Sequence, residues 1–339
     1  MEKMKAVLIK EPGSLEIVSI DRPVPGKGEA LLKIIYSGIC GSDIATYTGN
    51  QPFASYPRIP GHEFSAQIIE IEENDLGLKP GMLVTANPYF NCKNCYSCER
   101  GIFNCCESNE TMGVHRDGSF AEYITMPIDR IYHGKGLSAK ELALIEPFSI
   151  SYHGAKRGDL NRNDNVLVFG AGPIGIFAML SAKMLGAQVF IVDVLENRLK
   201  IAEEMGADGT INSMDKDLDK EILEITGGKR MDVCIEAVGI PETFLSCIDN
   251  VAFGGKIILI GNGKRETCFN HSILLKKELD VYGSRNSLGC FDVLIDIVKK
   301  GEVTVDKIIT HVYPLEQIKE AFELLINNDG TVEKVLVSF

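Results

Sequence analysis

Four cysteines, Cys92, Cys95, Cys98 and Cys106, crowd into one polar loop at steps of 3, 3 and 8 residues. The Cys-x-x-Cys spacing lets two thiolates from one turn reach a common centre, and four of them complete a tetrahedral zinc site. With every position filled by sulfur no water can bind, so a zinc held there is structural. Cys105 stands beside the last of the four and could replace it as the fourth ligand. A second constellation is Gly170-Ala171-Gly172-Pro173-Ile174-Gly175, a Gly-x-Gly-x-x-Gly turn between an apolar run, NVLVFG, and a helix-like stretch. Here Gly170 permits the tight turn, Gly172 lets the backbone approach a pyrophosphate, and Gly175 allows close helix–strand packing. Pro173 and Ile174 open the helix whose first N–H groups face the anion. Asp193 ends the next strand-like run 23 residues after Gly170, the place of an acid that accepts the adenosine ribose hydroxyls. A carboxylate there repels a 2′-phosphate, which favours NAD over NADP. Arg198, five residues further on, is the nearest cation and a second candidate contact to the cofactor.

Two textures along the chain must position these groups. The first ~150 residues read as strand and loop, with β-rich runs (KAVLIK, EALLKIIYSG, FSAQIIEIEE, GMLVTAN) punctuated by Gly and Pro. From about Asn165, helix-like and strand-like segments alternate through NVLVFG, QVFIVDV, GTIN, MDVCIEAVG and GKIILIGN, which predicts a doubly wound parallel sheet. The last ~50 residues hold two amphipathic helices and the strand KVLVSF, and are expected to pack back onto the first domain. The division is therefore 1–150, 151–288 and 289–339, with the third segment completing the first domain. The 339 residues suffice for two such domains. Lys+Arg 35 against Asp+Glu 47 gives a net charge of −12, which argues against nucleic acid or an anionic membrane as the main partner. The start, MEKMKAVLIKEPG, lacks a secretory apolar region, and no run approaches the length of a spanning helix. A cytoplasmic location is expected, with the ten cysteines as thiols or metal ligands rather than disulfides.

Cys40 in GICGSD and His62-Glu63 in PGHEF are modest evidence alone, since such residues more often serve packing or surface pairs. Taken with the thiolate loop and the dinucleotide turn they carry a resemblance. Over essentially its whole length the chain resembles the zinc-containing medium-chain alcohol dehydrogenases, through GICGSD, GHEF, the cysteine loop, RDGSFAEY, LIEPFSISYHG, VFGAGPIG and KVLVSF. It is most similar to the polyol and sugar-acid branch, which includes sorbitol, galactitol-phosphate and threonine dehydrogenases. Within that branch, YTGNQPFASYPRIPGHEF, MGVHRDGSFAEY and GSRNS resemble the L-gulonate/L-galactonate 5-dehydrogenases and their starvation-sensing relative.

The resemblance implies a GroES-like β-rich catalytic domain and a Rossmann domain, with two zinc ions per chain, one catalytic and one structural. Cys40 and His62 would hold the catalytic zinc with Glu63 and Glu146, the two acids exchanging between direct ligation and holding a water. Cys106 is the fourth structural ligand by the family pattern. Ser42 matches a hydroxyl that passes the substrate proton outward, and Asp43 a carboxylate that orients a zinc-bound histidine. Zinc would act as a Lewis acid on the substrate hydroxyl, and hydride would pass to NAD. The implied activity is oxidation of a secondary alcohol to a ketone on a sugar acid such as L-gulonate or L-galactonate. A polyol or threonine is the alternative substrate. A zinc-free reductase of the superfamily would not need Cys40, His62 and Glu146 together, and an NAD- and zinc-binding redox sensor without turnover would have no need of Cys40, His62 and Ser42. Arg285 in YGSRNS could pair bidentately with a substrate carboxylate, or else touch the cofactor or another subunit. Two departures from the family are Ala45, where a relay histidine is common, and Ala66, where Gly closes the GHExxG pattern. His153 reads as structural, and His115, His133, His271 and His311 as surface or core residues. A homo-oligomer, dimer or tetramer, is expected, acting on a small-molecule substrate.

Overall fold

The computed structural model describes residues 2–339, and the chain forms two compact units. The first runs through Glu146 and takes in Phe291–Asn328 and Lys334–Phe339; the second is Pro147–Cys290 with Asp329–Glu333. The expected return of the tail thus has one interruption, because five residues shortly before the C-terminus cluster with the second unit.

In the first unit, β1 (Lys3–Glu11) and β2 (Ser14–Asp21) form a hairpin. The main sheet is built from β3 (Glu29–Gly38), β4 (Glu63–Ile71), β5 (Leu83–Ala86), β8 (Tyr123–Pro127), β9 (Ile131–His133), β16 (Ile309–Pro314) and β17 (Lys334–Ser338). Its order is β16-β17-β3-β4-β5-β9, with β8 added on β3, and every pair is antiparallel except β16–β17. Two-residue strands β6 (Tyr89–Phe90) and β7 (Glu110–Thr111) pair with each other beside the cysteine loop, which holds the short α2 (Tyr96–Glu99). Alternating apolar residues of β3 and β4, among them Leu32, Ile34, Phe64, Ala66 and Ile68, are fully buried and form the sheet's core face. Two helices carry or flank site residues: α1 (Gly41–Tyr47) follows β3, and α3 (Ala139–Ala143) precedes α4 (Ile145–Arg157). The tail adds α10 (Phe291–Lys299) and α11 (Ile318–Ile326).

The second unit has the expected doubly wound sheet. Its six strands are β10 (Asn165–Phe169), β11 (Gln188–Asp193), β12 (Gly209–Asn212), β13 (Met231–Glu236), β14 (Val251–Leu259) and β15 (Asp280–Gly283). All are parallel, in the order β12-β11-β10-β13-β14-β15, which reverses direction beside β10. The crossovers are α5 (Pro173–Met184), α6 (Glu196–Glu204), α7 (Leu218–Ile225), α8 (Pro241–Asn250) and α9 (Ser272–Lys277). Val166, Leu167 and Val168 of β10 are inaccessible on both faces, which is why that strand reads as an unbroken apolar run. Among the described residues no helix is long and apolar enough to cross a membrane.

Candidate metal and dinucleotide sites

The corner between β3 and α1 fixes Cys40. This residue caps α1 in an extended conformation, and Asp43, at the third helical position, accepts the Cys40 N–H through Oδ2 at 2.9 Å. Oδ1 of Asp43 accepts the N–H of Gly61 at 3.0 Å, so one buried carboxylate ties the Cys40 corner to the Pro-Gly turn before His62. Gly61 has φ +99, and a Cβ there would fall 2.6 Å from Ser119 Oγ and 2.8 Å from the Phe120 ring, so the turn needs glycine. Glu63 opens β4 opposite Gly38 of β3, and a Cβ at Gly38 would lie 2.4 Å from Glu63 Oε2. One donor atom each from Cys40, His62 and Glu63 lies within 4.8 Å of the other two, an arrangement able to hold a metal ion.

The charges around this cluster are buried and densely coupled. Nδ1 of His62 is buried without a hydrogen-bond partner, 4.0 Å from Asp43 Oδ1. Burial is the largest influence on this imidazole and opposes its charge. The Cys40, Asp43 and Glu146 charges together outweigh burial and raise its pKa well above 6.5. Burial raises Asp43, against the pull of His62. Glu146, in the first turn of α4, is pushed up to about 7 by burial, and its Oε1 accepts the hydroxyl of Tyr89. Ser42 Oγ is likewise buried with no partner.

Sequence reasoning missed two members of this site. Lys334, the first residue of β17, donates to Glu63 Oε1 and Oε2 at 3.0 and 2.7 Å and to the Ile39 carbonyl at 3.4 Å. Burial disfavours its ammonium, but Glu63 and Cys40 outweigh burial and raise it above 10.5. Tyr89 is the other, its hydroxyl well above 10 through burial and the Glu146 charge. The available signal for Lys334 was a lone cation opening an otherwise apolar strand; for Tyr89 there was only its place beside the cysteine loop.

The donors match the group expected there. A thiol, an imidazole and a carboxylate, three of the ligand types zinc accepts, converge on one point, and a buried imidazole nitrogen lacks any protein partner. In the cysteine loop, Cys92, Cys95, Cys98 and Cys106 bring their sulfurs within 4.8 Å of one another, while Cys105 is exposed. The Cys92 N–H donates to Cys106 Sγ at 3.2 Å, and backbone N–H groups of Glu107 and Cys98 lower Cys95 to about 6. Burial instead raises Cys106 to about 11. A set of four sulfurs with one thiol already acidified fits a closed zinc site.

In the second unit the Gly-x-Gly-x-x-Gly turn joins β10 to α5. Gly170 has φ +94, Gly172 caps the helix, and Pro173 fills its first turn. A Cβ on Gly175 would fall 1.7 Å from the Gly170 carbonyl, so only glycine lets the helix approach the strand. Ile174 presents its carbonyl to Ser151 Oγ at 2.8 Å. Asp193 ends β11 with Oδ2 accepting Ala171 N–H at 2.7 Å and Oδ1 accepting Val194 and Leu195 N–H at 2.8 and 2.9 Å. Arg198 Nη1 lies 3.8 Å from Asp193 Oδ2. Arg285 is exposed in the loop after β15, and Ser287 of that loop bonds Ser149 at 2.9 Å. Of the other histidines, His153 is buried and held near pKa 4 by burial and by the charges of Arg157 and Lys156. His115, His133 and His271 are exposed and His311 is half-buried.

Known proteins resemble the chain over its whole length. The family pattern for the alcohol dehydrogenase GroES-like domain matches residues 26–135, and that for zinc-binding dehydrogenases matches 173–300. L-galactonate-5-dehydrogenase of Escherichia coli K12 is 35% identical over all of both chains. The starvation-sensing protein RspB of the same strain is 33% identical over 99% of each. A crystal structure of the RspB alcohol dehydrogenase of E. coli CFT073, complexed with NADH, superposes with a TM-score of 0.93 at 32% identity, covering all of both chains. With both units matched and full-length relatives at this identity, the chain belongs to the zinc-type medium-chain alcohol dehydrogenase family and is an oxidoreductase.

Proposed function

We propose that this protein oxidises a secondary alcohol to a ketone on a small sugar acid, such as L-gulonate or L-galactonate, with NAD as acceptor and zinc as catalytic metal. The observation that carries the reading is the Cys40–His62–Glu63 cluster, half-buried at Cys40 and buried at the other two, with its unpartnered imidazole nitrogen. Zinc would supply Lewis acidity toward the carbinol hydroxyl, and NAD the hydride acceptor. Cys40, His62 and Glu63 would bind the metal, Asp43 holds the corner that carries Cys40 and the turn before His62, and Glu146, which falls outside the converging three, is the acid proposed to exchange with Glu63. Ser42 Oγ, buried and unpartnered, takes up and passes on the carbinol proton. Lys334 pairs with Glu63 and holds its carboxylate in place, and Tyr89 orients Glu146. Cys92, Cys95, Cys98 and Cys106 hold the second, structural zinc. Gly170, Gly172, Pro173, Ile174 and Gly175 cradle the pyrophosphate, and Asp193 and Arg198 read the adenosine ribose. The galactonate dehydrogenase relative supports a carboxylate on the substrate, for which Arg285 is the proposed partner. A cytoplasmic homo-oligomer completes the reading.

The test is NADH absorbance with the full-length protein against aldonates, polyols and 3-hydroxy amino acids. Turnover is expected on an aldonate. Cys40→Ala should abolish it and take zinc from two atoms per chain to one; unchanged turnover would overturn the mechanism. Arg285→Leu should hurt aldonates far more than neutral polyols, and equal losses would retire its role.

A further inference from the structure

The segment Asp329–Glu333 is covalently part of the returning tail but clusters with the dinucleotide-binding unit. Asp329 Oδ1 accepts the backbone N–H and the hydroxyl of Thr331 at 3.1 and 2.6 Å, which fixes a turn. Gly330, at φ +95, packs on the start of α6: a Cβ there would lie 3.1 Å from Leu195 Cβ and 3.5 Å from Arg198 Cγ. The turn delivers the Glu333 carboxylate, whose side chain is wholly inaccessible, to 3.7 Å from Arg198 Nε. The guanidinium therefore has Asp193 on one side, at 3.8 Å, and Glu333 on the other. It also lies over the phosphate turn, with Cζ and Nη1 3.9 Å from where a Cβ of Gly172 would be.

An arginine beside the ribose acid is the group that accepts a 2′-phosphate in proteins using the phosphorylated dinucleotide. Asp193 and Arg198 alone sum to zero charge and leave the guanidinium as a phosphate partner. With Glu333 the three groups sum to −1, in a site from which Glu333 and most of Asp193 are shielded from water. We infer that Glu333 is a specificity-determining positioning residue: it neutralises Arg198 and fixes it for the ribose, so that the site rejects a dinucleotide carrying a 2′-phosphate. Asp193 repels the phosphate, and Glu333 removes the cation that would compensate for that repulsion. The inference rests on the NAD-linked reading above and adds to it a residue 140 positions from Asp193 in sequence.

Fluorescence titration of NADH and NADPH onto the full-length protein tests this without turnover or substrate. The wild type should prefer NADH. Glu333→Gln, nearly isosteric, should narrow the preference by about tenfold, chiefly through tighter NADPH binding, the size of one charge acting across a half-buried site. The gain should vanish in the Glu333→Gln/Arg198→Leu double variant. Glu333→Asp, which keeps the charge, should keep the preference. Arg198→Gln alone, which leaves Glu333 untouched, should widen it. Equal weakening of both cofactors by Glu333→Gln, or the same shift in Glu333→Asp, would assign the residue to packing and overturn the inference. An unchanged preference in Arg198→Gln would overturn it as well. A wild type that binds neither dinucleotide would sink the NAD-linked reading itself, whereas NADH binding with a ratio unmoved by Glu333→Gln sinks only the role of Glu333.

Discussion

Lys334 and Glu63 form an ion pair with side chains only 4% and 2% accessible, held by two short contacts. Breaking such a pair leaves a buried charge without compensation, a loss of about 3–5 kcal/mol, whereas replacing both partners by neutral groups is far milder. Lys334→Met should therefore lower the urea midpoint strongly, and Glu63→Gln/Lys334→Met should recover most of that loss. A single variant within about 1 kcal/mol of the wild type would mean that water reaches the pair and the geometry is not as tight as described. The pair also shows where the sequence stops speaking. The thiolate loop and the glycine turn are legible because each is a short pattern whose chemistry is local, whereas Cys40 and His62 are read only through the family resemblance that surrounds them. Lys334 is 271 residues from Glu63, and Tyr89 is 57 from Glu146. Only the sheet register, which sets β17 against β3 and β3 against β4, brings the first pair together.

At the scale of elements, the cysteine loop owes its shape to four sulfurs rather than to a core. Its helix is one turn long, Tyr96 and Phe103 are 67% and 47% exposed, and Lys93 has φ +64. A segment with so little burial would gain its order from a metal bound by those sulfurs. The sulfur of Cys106 lies with those of Cys92, Cys95 and Cys98, and Cys105 is exposed, which favours Cys106 of the two thiols the spacing left open. Cys106→Ser should release one zinc per chain and lower the melting temperature, while Cys105→Ser should keep both metals and the wild-type melting curve. Loss of zinc in the Cys105 variant would reverse the assignment. The alternation of runs such as NVLVFG and QVFIVDV is legible because β10, β11 and β13 are buried along almost their whole length. It does not reveal β2, half of whose residues are exposed, or the four-residue β15, of which only Tyr282 is not exposed. Burial makes a strand readable, and these two lack it.

For the whole molecule, β15 raises the question of what covers it. It closes one end of the six-stranded sheet, with β14 as its neighbour, and Asp280, Val281 and Gly283 are exposed. Val281, the apolar residue exposed on this strand, is 37% accessible. An open edge with apolar side chains is a template for another strand, and soluble proteins cover or charge such edges unless the edge has a partner. The strand itself offers a single charge, Asp280, as protection. A second copy meets it most simply by a two-fold axis, which pairs β15 with its own counterpart antiparallel and extends both sheets into one. The proposed homo-oligomer is accordingly expected to form through this edge, with light scattering giving at least twice the 37.2 kDa chain mass at micromolar concentration. Val281→Glu would set like charges close to one another across the axis, and should shift the protein to monomer while leaving its two zinc ions and its NADH affinity in place. A wild type that runs as a monomer, or a Val281→Glu variant that keeps its oligomeric mass, would show that the edge stays open and that some other surface, or none, joins the copies.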